Sequence, residues 1–66
     1  MIPPWQKYPN IPLGSVGWRM GDGEVYWAAF NDWFKRKTPE QRRAYAVENP
    51  EPSDWGGFYQ RKGVDL

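Results

Sequence analysis

Lys35, Arg36, Lys37, Arg42 and Arg43 gather five of the chain's nine cations into one short stretch. Basic residues at that density can hold phosphate or an acidic protein, aided by free N–H groups at the start of a helix. Cations also close helix C-termini and populate solvated faces without any ligand. Glu40 and Glu48 interrupt the cluster, and the formal net charge of the 66-residue chain is only +1. Such a balance does not suit a protein that coats nucleic acid over its whole surface. A small nucleic-acid-binding accessory protein using this basic bend is therefore the second functional reading.

The first reading comes from the aromatics. With aliphatic residues scarce, five Trp, four Tyr and three Phe must carry the core, yet five Trp are far more than a core of this size needs. Trp, Tyr and Arg dominate the energetically important positions of protein interfaces. Trp27, Trp33 and Trp55, rimmed by the Lys and Arg residues above, are the expected partner-contacting set. The expected function is a non-catalytic, protein-binding domain of the interaction or inhibitor type. The competing explanation is that other parts of the chain cover these rings and make them core.

Other chemistries find little to work with. Cys and His are absent, which removes thiolate and imidazole nucleophiles, disulfides and Cys/His zinc sites. The eight carboxylates are scattered along the chain, and each has a simpler role as cap, ion pair or surface charge. We expect no catalytic residues, no metal and no cofactor. The glycine-rich run from Gly14 to Gly23 lacks the Gly-Lys-Ser/Thr ending of a phosphate loop and a preceding strand. Pro9-Asn10-Ile11-Pro12 fits the loose pattern of ligands for aromatic grooves, but Ile11 is needed for the core. No run approaches the ~20 apolar residues of a membrane span. The start, Met1-Ile2-Pro3-Pro4-Trp5, lacks the basic and apolar regions of a secretory leader. With no cysteine, a cytoplasmic address is expected.

The elements that would position these residues form one small, mostly α domain spanning residues 1–66. Residues 1–23 hold four of the seven prolines and four of the seven glycines, and are expected to be an extended arm. Its Trp5, Tyr8, Ile11, Leu13, Val16 and Trp18 would act as pegs of a strap across the rest. Residues 24–37 form the clearest helix. Tyr26, Trp27, Phe30, Trp33 and Phe34 share an arc of about 120° on a helical wheel. Asp22 is the expected N-cap, and Asp32 can pair with Arg36 one turn on.

Thr38-Pro39-Glu40-Gln41 then reads as a capping box opening a second helix over 39–48, which Asn49-Pro50 ends. Over 53–62, Trp55, Phe58, Tyr59 and Lys62 recur at helical spacing, with Gly63 as a stop. Gly56 and Gly57 make a turn-rich C-terminal aromatic segment the alternative there, since each costs a helix about 1 kcal/mol.

Overall fold

The computed structural model describes residues 1–65. Four α-helices follow in chain order: α1 (Pro4–Lys7), α2 (Gly21–Lys35), α3 (Pro39–Glu48) and α4 (Phe58–Arg61). Single 3-10 turns precede α2, at Val16–Arg19, and α4, at Ser53–Trp55. No strand occurs among the described residues. The mostly α architecture, with a proline-rich strap laid over an aromatic helix, matches the sequence reading.

α2 is the element around which the rest packs. Phe30 and Phe34 are fully enclosed on its inner face, with Tyr26, Trp27 and Trp33 half-buried beside them. The helix starts three residues earlier than its periodicity suggests, and Asp22 is not its cap. Met20 occupies that position without a side-chain hydrogen bond, leaving Asp22 and Glu24 in the first turn to face the helix dipole. The first turn of α2 packs tightly on the arm: a Cβ built on Gly23 would lie 2.1 Å from the carbonyl oxygen of Gly17. The 3-10 turn and the first turn of α2 touch backbone to backbone, and only glycine permits that approach.

α3 begins as expected. Thr38 Oγ1 accepts from Gln41 N at 3.1 Å, while Thr38 N donates to Gln41 Oε1 at 3.0 Å. The arm departs from the expected extended form over two short stretches. Pro4 occupies the first position of α1, where a missing N–H costs nothing because that donor would be unpaired anyway. Tyr8, which precedes Pro9, ends the turn. Ser15 Oγ accepts from Gly17 N at 3.1 Å and starts the second turn, and Trp18 Nε1 donates to Pro12 O at 3.0 Å.

The C-terminal segment is broken rather than one helix over 53–62. Gly57 adopts φ 84°, a left-handed conformation that separates the 3-10 turn from α4. The Glu51 carboxylate accepts from Gly57 N at 2.7 Å and from Tyr59 N at 3.1 Å, capping α4 from outside it. Gly63, at φ 80°, closes the helix: Gly63 N donates to Gln60 O and Val64 N to Tyr59 O.

Aromatic rings make most of the core. Trp5 from α1 stands edge-on to Trp55, Phe58 and Tyr59 at centroid distances of 5.2, 5.2 and 5.9 Å. Phe30 stacks on Phe34 at 5.6 Å. These are the offset and perpendicular geometries that ring quadrupoles favour. Two tyrosines hold the start of the arm down: Tyr26 Oη donates to Ile2 O at 2.5 Å and Tyr45 Oη to Met1 O at 2.9 Å.

Candidate functional site

The residues singled out from the sequence do not assemble into one surface. Trp55 is 2% exposed and belongs to the core, packed against Trp5, Trp18 and Phe58. It is removed from the candidate set, because the arm covers it. Trp33 is half-buried, with Lys37 Nζ 4.2 Å from its ring centroid and Tyr45 edge-on at 5.4 Å. Trp27 lines an open cleft.

The cations of the bend are mostly engaged within the protein. Arg36 pairs with Asp32 at 2.8 Å. Arg42 Nη1 donates to the carbonyls of Lys37 at 2.8 Å and Lys35 at 3.2 Å, and its Nε is buried without a partner. Arg42 thus binds the last carbonyl of α2 and one of the bend beyond it, and clips α3 to both. Lys37 lies on Trp33. Lys35 and Arg43 are exposed.

A different constellation forms where the arm meets α2 and α4. Leu13, Ser15 and Trp18 from the arm, Trp27 from α2 and Arg61 from α4 line a cleft of about 360 Å³, with Arg19 beside them. Trp18 is nearly enclosed and packs on Trp27 at 5.0 Å, so the apolar part of the cleft is rigid. Arg19 and Arg61 are both exposed and line the cleft, with the Arg61 guanidinium folded back over Gly57. No carboxylate lines the cleft.

Lys62 adjoins it. Its Nζ lies 5.1 Å from the Trp27 centroid and 4.6 Å from that of Phe58, and it donates to Asn31 Oδ1. Burial lowers the pKa of this ammonium, and the neighbouring Arg61 charge lowers it further. Ring faces and an amide oxygen are partial compensation for a half-buried cation. Among the described residues no carboxylate pairs with Lys62, and Arg36–Asp32 is the ion pair.

Arg19, Arg61, Leu13 and Trp18 were not among the expected contact residues. Of the basic residues around this cleft, only Lys62 was set among rings by sequence spacing, with Trp55, Phe58 and Tyr59. Arg19 and Arg61 line one cleft because the arm folds back on α2, which no local pattern records. Among the described residues, no three acidic side chains gather closely enough to hold a metal ion. No helix among the described residues is long and apolar enough to cross a membrane. Comparison with known proteins gives no matching family model, no matching curated protein and no matching solved structure.

Proposed function

We propose that this chain is a non-catalytic protein-binding domain that receives an apolar side chain of its partner in the cleft between the arm, α2 and α4. The observation that carries this reading is the composition of the cleft: Leu13, Trp18 and Trp27 inside, Arg19 and Arg61 beside them, and no carboxylate. A preformed apolar recess costs little entropy to fill, and bordering arginines add orientation and speed of encounter. The nucleic-acid reading rested on the basic bend. It loses support because Arg36, Lys37 and Arg42 are occupied by Asp32, Trp33 and main-chain carbonyls.

The test is affinity capture from native lysate with the intact chain and with an Arg19→Glu/Arg61→Glu variant, each with and without nuclease. The proposal expects a protein retained by the intact chain, lost with the variant and indifferent to nuclease. Retention that ignores the variant, or that disappears with nuclease, would overturn it.

A further inference from the structure

The cleft has a second hollow beside it along α2. Trp27, Asn31 and Lys35 recur every four residues along one face of α2, and Lys62, just past α4, reaches that face. Beyond Trp27, Asn31, Phe34, Lys35 and Lys62 line a second hollow of about 190 Å³. Lys62 joins the two, lying over the Trp27 ring while bonded to Asn31. Neither hollow has a carboxylate in its wall. Arg19, Arg61, Lys62 and Lys35 therefore set four basic residues around this two-part groove, and among the described residues none of them is ion-paired.

We propose that the occupant of this groove is an acidic peptide segment of a partner protein, anchored by one bulky apolar side chain. This rests on the protein-binding reading above and gives it a register. The anchor enters between Leu13 and Trp27, with a neighbouring carboxylate against Arg19 and Arg61. A second carboxylate meets Lys35 and Lys62. Trp27 and Lys35 are eight residues apart, about 12 Å along a helix at ~1.5 Å per residue. An extended peptide spans that distance in about four residues at ~3.3 Å each. The segment thus carries two acids about four residues apart, with the apolar side chain beside the first.

Single-stranded nucleic acid would use the same charges but needs free ring faces for its bases. Trp27 already packs on Trp18 and carries Lys62 over its ring, and Trp18 is 5% exposed. A carboxylate and an aliphatic side chain need no such face.

Short random peptides displayed on phage and selected on the intact chain test the register without assuming a sequence. The most enriched peptide is then resynthesised with glutamine for each acid. Fluorescence anisotropy compares both forms on the intact chain, on Lys35→Gln and on Arg19→Gln, with oligothymidylate titrated in parallel. Both substituted residues are exposed, so circular dichroism should find the variants folded. The expected result is enrichment of paired acids beside an apolar residue. Each glutamine exchange and each variant should then weaken binding about tenfold, the loss of one charge-assisted contact. Apolar peptides enriched without acids would overturn the acidic occupant while leaving the protein-binding cleft standing. Oligothymidylate binding more tightly than the peptide would overturn it in favour of nucleic acid. A selection that enriches nothing would overturn both the occupant and the reading beneath it.

Discussion

Arg42 Nη1 reaches back across the bend between α2 and α3 and donates to the carbonyl of Lys37 at 2.8 Å. The same nitrogen donates to Lys35 O at 3.2 Å. Two adjacent arginines that look alike in the sequence therefore have different jobs, because Arg43 is exposed while Arg42 ties two helices together.

Arg42→Ala should lower stability by about 1–2 kcal/mol, since it leaves the Lys35 and Lys37 carbonyls without their donor. Arg43→Ala should stay within about 0.5 kcal/mol of the parent, as exposed substitutions generally do. Denaturant unfolding of the two variants side by side checks this. Equal effects would show that Arg42 is no more structural than its neighbour.

Gly23 is the second test of the local geometry. A Cβ there would meet the Gly17 carbonyl oxygen at 2.1 Å, a backbone atom that cannot swing aside. Gly23→Ala should separate the 3-10 turn from α2 and cost about 3 kcal/mol, at the upper end for overpacking. Gly56→Ala is the control, because its nearest neighbour, Ser53 O, would be 3.7 Å away. Thermal unfolding should rank Gly23→Ala far below Gly56→Ala. Similar midpoints would mean that the turn can move off α2 freely.

That contact also shows where the sequence stops being readable. α3 was legible to the residue because Thr38, Pro39 and Gln41 act within one turn. The inner face of α2 was legible from the spacing of its rings. Its start was not, because Gly17 and Gly23 meet only once the arm has folded back. The same holds for the site. Trp27 stood out as an excess ring, but Arg19 and Arg61 come together only through the tertiary fold. Trp55 was taken for surface because its cover, Trp5, comes from the other end of the chain.

The arm is consequently part of the domain. Pro3 and Pro4 are fully buried, and Trp5 touches three core rings. Removing residues 1–18 would expose Trp55, Phe58 and Tyr59 and take away the carbonyls that Tyr26 and Tyr45 bond. The truncated chain should lose its cooperative thermal transition and bind a hydrophobic dye. An unchanged melting curve would reduce the strap to an appendage.

Phe30 is the centre of what remains, at 0% exposure between Tyr26, Phe34, Tyr45 and Phe58. Phe30→Ala should cost about 3–5 kcal/mol. A domain of this size has little more than that, about 3–5 kcal/mol in all. The variant should be largely unfolded at room temperature, and a well-dispersed amide spectrum would contradict that.

Alkaline pH should unfold the protein through its tyrosines. Tyr59 Oη donates to Asn49 O at 2.5 Å from a ring 1% exposed, and Tyr45 Oη donates to Met1 O. Burial, helped by neighbouring tyrosines, pushes both phenols well above their ordinary 10.0, and Tyr26 is raised for the same reasons. Above pH 10 the unfolded chain releases phenolic protons that the folded chain keeps. The folded state then binds more protons, so stability falls as pH rises. Lys62 acts in the opposite sense, because its lowered pKa makes the folded state release its proton first. Its charged form is a burden that fades as pH approaches the ordinary 10.5, so it adds stability there. Three raised phenols outweigh one lowered ammonium, and the melting temperature should hold up to about pH 10 and then drop steeply. Phenolate absorbance from the buried tyrosines should appear together with the loss of helical circular dichroism. Tyr45→Phe should lower stability near neutral pH by about 1 kcal/mol, the worth of one hydrogen bond, while flattening the alkaline fall. Complete phenolate formation near pH 10 with the helices intact would show that these hydroxyls are not held by the fold.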